Sequence, residues 1–396
     1  MADRRTRSRR AVVVAALICA MALVGAPGSH AAATAGTVVT WGSNTYGQLG
    51  DGTVTPHHTP QAIAALPSVV QLEGGREHGL ARTVDGSVYA WGWNRVRTGG
   101  HQLDRLPGAV AGPRPDRRRG HRRRALLVVR GEGGRHPVGV GRNAQGQLGD
   151  GTTTTRRKPV QVIGLAGETV VQVSGGRDHT MARTDDGTVY TWGSNAYGQL
   201  GNGTYAARTT PAVVPGVANV IDVMAGRDHC LAVSANGSVW AWGRNGLGQL
   251  GNGNVAKHPS PVRVKTKAGG TNVVLSSIVS VGAGADHSLA LAGDGTLYAW
   301  GANSWGQVGD GTKTTRSIAV KIAMPEAVAG MAGGRQSSLA VTVTGAVYTW
   351  GDGRDGQLGD GSTTSSGRTA PGIVPGLTAD AVAMGRDFAF AIVPAG

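Results

Sequence analysis

The chain has 396 residues, of which 16% are charged, with two cysteines and a formal net charge of +15. The length suffices for a sizeable core, and so few cysteines exclude a disulfide-stapled scaffold. A basic excess ordinarily points to nucleic acid, but residues 1–10 hold a net +4 and residues 96–140 a net +8, so only three surplus charges remain for the rest of the chain.

Residues 1–35 read as an export signal. Arg4, Arg5, Arg7, Arg9 and Arg10 precede an apolar run from Ala11 to Val24, and small residues place cleavage between Ala31 and Ala35. The run is shorter than a membrane-spanning helix requires, and no other stretch qualifies. Ile18 before Cys19 argues against a lipoprotein anchor. A secreted protein without a membrane span is therefore expected. Cys230 alone would remain after cleavage, so no intrachain disulfide is possible, and it reads as a buried strand residue.

The mature region, 36–396, is built on a repeat. Trp-Gly recurs at Trp41, Trp91, Trp192, Trp242, Trp300 and Trp350, at spacings of 50, 101, 50, 58 and 50 residues. The double gap has its midpoint at Val140-Gly141, giving seven units of a length that marks a solenoid, propeller or array. In the unit around Trp192, Val170–Val173, His179–Arg183, Thr188–Trp192 and Pro211–Val214 are predicted strands separated by glycine-punctuated turns. Four short strands per unit is the content of a propeller blade. No helical periodicity appears. The chain ends after a strand to Val393, without the Trp-Gly strand that should follow, and Thr37 to Trp41 supplies it from the other end. The expected fold is all-β: a seven-bladed β-propeller whose N-terminal strand closes the last blade.

Residues 96–140 interrupt the pattern with eleven arginines. They read as frameshifted or disordered. Val96 to His101 can be coded GTA CGG ACA GGT GGG CAC, which moved by one base spells Tyr-Gly-Gln-Val-Gly-Thr, the sequence expected after Asn94-Arg95. The same shift turns Val138 to Gly141 into Trp-Ala-Trp-Gly. The competing reading is a basic nucleic-acid arm.

Gly-Gly-Arg-Asp-His, Gly-Thr-Val-Tyr-Thr-Trp-Gly and Asn-Ala-Tyr-Gly-Gln-Leu-Gly-Asn-Gly-Thr in the Trp192 unit resemble the regulator of chromosome condensation repeat. The resemblance covers nearly all of the mature chain and implies a seven-bladed propeller. The family's eukaryotic founder acts in guanine-nucleotide exchange and on chromatin, whereas its secreted bacterial members imply inhibition of, or docking to, an extracellular enzyme. The export signal favours the latter.

Several residue sets bear on chemistry. Trp41, Trp91, Trp192, Trp242, Trp300 and Trp350 are expected to pack between blades, as structural residues. His78, His179, His229 and His287 recur thirteen residues before a Trp in four of the units. Blade spacing is too wide for one zinc centre, so they read as structural, each bonding a turn within its blade. Asp51, Asp150, Asn202, Asn252, Asp310 and Asp360 offer one carboxylate or amide per loop, too few oxygens for calcium. No metal, cofactor or catalytic set is expected. Candidate binding residues are those that vary inside a constant loop, Tyr46, Tyr197, Leu247, Trp305 and Asp355, beside Gln145. Lys265 and Lys267 join them, from an insertion within Lys265 to Asn272. The expected partner of a monomeric, non-catalytic binder is a protein, with a glycan or cell-wall carbohydrate as the alternative and nucleic acid disfavoured. Peptide mass spectrometry of the secreted protein checks two of these expectations. An N-terminus between Ala31 and Gly36 is expected, as are shifted-frame peptides containing Tyr-Gly-Gln-Val-Gly; peptides matching residues 96–140 as written would make the arginine-rich segment real.

Overall fold

A computed structural model describes residues 36–63, 66–85, 87–93, 126–129, 137–362 and 367–394. Antiparallel sheets follow one another around a ring, without any helix among the described residues. In the unit around Trp192, Val170–Gly175 is innermost, followed outward by His179–Thr184, Val189–Gly193 and Arg208–Val213. Five blades show all four strands, and two show three each within the described residues. Gly36–Gly42 pairs antiparallel with Phe388–Pro394, from Gly36↔Pro394 to Gly42↔Phe388, so the N-terminal strand completes the last blade. This removes an exposed sheet edge.

Each blade presents β-branched and aromatic residues, and a small twisted sheet cannot bury both faces alone. The tryptophans fill the seams. Trp41, Trp192, Trp242, Trp300 and Trp350 are wholly buried and Trp91 nearly so. Every indole Nε1 also donates to a backbone carbonyl in the preceding blade: Trp91 to Gln48, Trp192 to Gln147, Trp242 to Gln199, Trp300 to Gln249 and Trp350 to Gln307, at 2.8–3.0 Å. Trp41 donates to Gln357 at 3.0 Å across 316 residues of chain, which closes the ring. The buried donor is thereby satisfied as its large apolar surface is packed.

The arginine-rich segment lies mostly outside the described residues. Within them, Leu126–Val129 pairs with Val138–Gly141, which pairs in turn with Arg156–Gln161. Val140 faces Leu127 in the register where Trp192 faces Thr180. The position expected for tryptophan is thus a third-strand position, occupied by a buried valine that has no indole N–H to donate.

The histidines differ from expectation. Their Nε2 atoms reach across the seam, not into their own blade: His179 to Cys230 Sγ (3.2 Å), His229 to Ser288 Oγ (3.0 Å) and His287 to Ser338 Oγ (2.9 Å). Cys230, Ser288 and Ser338 pass the bond on to the Gln199, Gln249 and Gln307 carbonyls. The physical reason is that each imidazole stands opposite a glycine of its own third strand, Gly193, Gly243 or Gly301, so a polar side chain is met only across the seam. A Cβ at Gly284 would collide with His287 Cε1, so this turn needs glycine for the close approach of the imidazole.

Burial brings His78, His179 and His287 down to about 4, and burial together with neighbouring imidazole and guanidinium groups brings His229 to about 3. A folded-state value below the unfolded one near 6.5 means that stability is complete above pH 6.5 and is lost as pH falls toward 4. Resistance to urea should therefore fall as pH is lowered across this window, and His287→Gln should flatten the loss; an unchanged slope would contradict the neutral relay. Cys230→Ser should be nearly neutral in the same assay, since serine fills the equivalent place at 288 and 338, whereas Trp192→Ala should cost roughly 3–5 kcal/mol.

Candidate functional site: the loop face

The segment after each Trp-Gly carries the candidate residues, and a repeated set of polar bonds holds it. In the Trp192 unit, Ser194 N donates to the Asp178 carbonyl at 2.8 Å, fixing the loop to the turn before the second strand. Asn195 Oδ1 accepts from Leu200 N (2.9 Å), and its Nδ2 donates to Asn202 Oδ1 (3.2 Å) and to the Thr204 carbonyl (2.9 Å). Gln199 Oε1 accepts from Tyr197 N at 2.9 Å. The same clamp recurs on the backbone N–H of Tyr46, Gln145, Leu247, Trp305 and Asp355, at 2.8–2.9 Å. Each variable residue is therefore held by its backbone, leaving its side chain free to differ from blade to blade. Pre-ordered loops lose little conformational entropy on binding.

Asp51, Asp150, Asp310 and Asp360 accept from the backbone N–H two residues on, at 2.9–3.1 Å. Asp150, Asp310 and Asp360 also meet the guanidinium groups of Arg156, Arg316 and Arg368, and Asp51 meets the His57 ring. Asn202 and Asn252 make the same turn at 3.1 and 3.3 Å.

Side-chain pairing on this face goes beyond what the sequence suggested. The Tyr46 and Trp93 rings lie 5.4 Å apart. Arg244 sits 5.3 Å from the Tyr197 ring centre, Arg354 4.0 Å from that of Trp305 and Lys257 4.2 Å from that of Tyr205. Tyr46, Tyr197, Trp305 and Asp355 are half-buried and Leu247 is exposed. Trp93 and Tyr205 were not among the sequence candidates. Tyr205 occupies the place that holds Val54, Thr153, Val255 and Lys313 in other units, and that variability was the signal that could have found it.

Lys265 and Lys267 do not join this set. They lie on a hairpin, Lys265–Ala268 and Thr271–Val274, that adds to the outer strand of the next blade at Thr266↔Ala319. The strand before it begins at the loop face, where His258 pairs with Gly243, and ends where Arg263 pairs with Trp240. The hairpin starts beside the loop segment Gly251–Asn252, where Lys265 N donates to the Gly251 carbonyl at 2.8 Å, and runs on along the next blade's outer strand, not among the variable loop residues.

Nearer the axis the Gly-Arg-Asp turns make a second ring. Arg177 N donates to the Arg227 carbonyl, Arg227 N to Ala285, Ala285 N to Gly334, Arg335 N to Arg386 and Arg386 N to Gly75, at 2.7–3.2 Å. The side chains interlock as well. Arg177 bridges Asp178 and Asp228, Arg227 bridges Asp228 and Asp286, and Arg386 bridges Asp387 and Glu77. Burial pushes Asp286 and Asp387 up from the usual carboxylate range, against the pull of Arg227 and Arg244 and of Arg335 and Arg386. The sequence reading took these segments as turns only. The recurrence of Arg beside Glu or Asp at 76–77, 177–178, 227–228 and 386–387 was the sign of the ring. A groove of about 560 Å³ lies at the ring closure, lined by the loop carboxylate Asp360 and by Val39, Pro60, Pro375, Leu377 and Pro394 among others.

The comparisons with known proteins agree with this architecture. The RCC1-like domain profile matches residues 139–396, and regulator of chromosome condensation repeats match 35–82 and 69–96. The ultraviolet-B receptor UVR8 of Arabidopsis thaliana is 34% identical over 193 residues, 45% of this chain and 42% of the receptor. The human E3 ubiquitin-protein ligase HERC2 is 33% identical over 208 residues, 48% of this chain and 4% of the ligase. Each alignment thus takes in less than half of the relative's length. Among solved structures, Prp20p from Saccharomyces cerevisiae superposes with a TM-score of 0.77 at 22% identity, covering 93% of this chain and 94% of its own. Human WBSCR16 does so with 0.72 at 23%, covering 91% and 100%. At these identities the likeness is one of fold. By the match over residues 139–396, this chain belongs to the RCC1-like domain family of β-propellers.

Proposed function

We propose that the chain is a secreted, non-catalytic protein-binding propeller that uses its loop face, as an inhibitor or adaptor of an extracellular enzyme. The observation that carries the reading is the clamp on the variable residues: a Gln side chain holds the backbone of Tyr46, Tyr197, Leu247, Trp305 and Asp355 in a common frame. A rigid frame presenting half-exposed aromatics and balanced charge is suited to a protein surface, where Trp, Tyr and Arg dominate binding. Propellers of this family are typically protein-binding or regulatory. Prp20p, for one, is described with binding properties toward Gsp1p and histones, and the yeast protein is also seen bound to Kap60. Export rests on the residue pattern of 1–35 and disfavours the nuclear exchange role of the family's founder.

Protein is favoured over carbohydrate because the Trp305 ring already stacks with Arg354, which takes one of the two ring faces a sugar would use. Crosslinked pull-down from culture medium tests the proposal. A partner captured by the wild type should be lost on Trp305→Ala or Tyr197→Ala, with affinity falling roughly thirtyfold for a hot-spot aromatic. Lys267→Ala, on the exposed hairpin outside the variable loop set, should leave capture unchanged. Equal capture by all variants would refute the face. A glycan-array signal that Trp305→Ala abolishes would replace protein with carbohydrate.

A further inference from the structure

The loop face is not equivalent around the ring. In three units the loop carboxylate Asp150, Asp310 or Asp360 meets the cation Arg156, Arg316 or Arg368, and in a fourth Asp51 meets the His57 ring. In the two adjacent units around Trp192 and Trp242 the carboxylate is replaced by Asn202 and Asn252. Asn252 bonds the His258 ring at 2.9 Å. Arg208, in the place of those cations, is exposed and has no ion-pair partner among the described residues. No Asp or Glu occurs between Asp186 and Asp222 or between Asp228 and Asp286. Neither loop of this sector can therefore supply a compensating charge.

The same two loops expose apolar surface. Tyr205 is 46% exposed, Val255 59% and Leu247 38%. Lys257 ties them together: its Nζ lies 4.2 Å from the Tyr205 ring centre and donates to the Ala196 carbonyl at 3.4 Å, next to Tyr197. The loops also abut through Gly203 N, which donates to the Pro259 carbonyl at 2.8 Å. An aromatic and aliphatic surface thus runs between two unneutralised cations, Arg208 and Lys257.

Resting on the reading above that this face binds protein, we infer that the partner docks on this sector through an acidic segment carrying an apolar side chain. Carboxylates would pair with Arg208 and Lys257 while the apolar group covers Tyr205 and Val255. Complementary charge steers such an encounter and makes it sensitive to salt. The loop asparagines are then specificity determinants, since asparagine keeps the turn while leaving the cation available.

The test is random-peptide display on the purified protein, counter-selected on Asn202→Asp/Asn252→Asp. Asp fits these loops in four other units, and thermal unfolding of the variant verifies that it is folded. Peptides retained by the wild type alone should be enriched in Asp or Glu beside Phe, Leu or Trp. Each restored carboxylate should weaken them roughly fivefold at low salt, and Tyr205→Ala should weaken them further. Enriched peptides without acidic excess, or binding both proteins equally, would overturn the inference. Peptides lost on Trp305→Ala but indifferent to the asparagines would overturn this sector and leave the face reading standing. A labelled DNA duplex that binds at least as tightly as the peptides, and is weakened by the same aspartates, would also overturn it, since the sector would then be a polyanion site. Absence of any enriched peptide counts against both readings.

Discussion

The bond from each blade's indole to a glutamine carbonyl of the preceding blade is the contact on which the ring depends. It joins two requirements in one side chain, since the indole fills the seam between small sheets and its polar N–H finds a partner there. A buried donor left unpaired would cost more than the bond contributes net. The accepting glutamine also acts through its side chain, which clamps the backbone of the variable residue two positions earlier. The residue that seals one blade to the next thus also sets the face. Scaffold stability and presentation of the binding side chains are consequently linked at Gln48, Gln147, Gln199, Gln249, Gln307 and Gln357.

Around the axis the same economy appears in a different form. The relay from histidine through Cys230, Ser288 or Ser338 ends on the Gln199, Gln249 and Gln307 carbonyls, each of which also accepts an indole. A carbonyl oxygen has two lone pairs, and at each of these three seams both are used. The Arg–Asp ring then ties the exposed ends of the same turns together. Its carboxylates are more deeply buried than its guanidinium groups, so the arginines are what a partner would meet near the axis. At position 140 a buried valine stands where the other units have the indole, so the N–H donor is missing there.

Function on such a scaffold resides in differences between repeats. The loop frame is repeated, while the side chain it presents is tyrosine, glutamine, leucine, tryptophan or aspartate. Charge differs as well: the face is neutralised locally where aspartate meets arginine, and basic where asparagine stands instead. A ring of equivalent loops becomes a directional surface through changes too small to disturb the fold.

Much of this was legible in the chain itself. The Trp-Gly period, the glycine turns and the missing strand at the C-terminus were sufficient for a closed seven-bladed propeller, because strand periodicity and turn chemistry are local properties. The loop containing Tyr197 and Trp305 was also legible, as variation inside a constant frame. Three matters needed the tertiary structure. His179, His229 and His287 bond across seams, which chain spacing does not reveal, because it depends on the glycine opposite each imidazole and on the thiol or hydroxyl that the next blade brings up. Lys265 and Lys267 lie on a hairpin added to the next blade's outer strand, because strand pairing, which chain spacing does not show, decides where an insertion is carried. The Arg–Asp ring and the exposed cation at Arg208 depend on distances between residues some fifty positions apart. Sequence determined which residues repeat; the closing of the ring decided which of them meet.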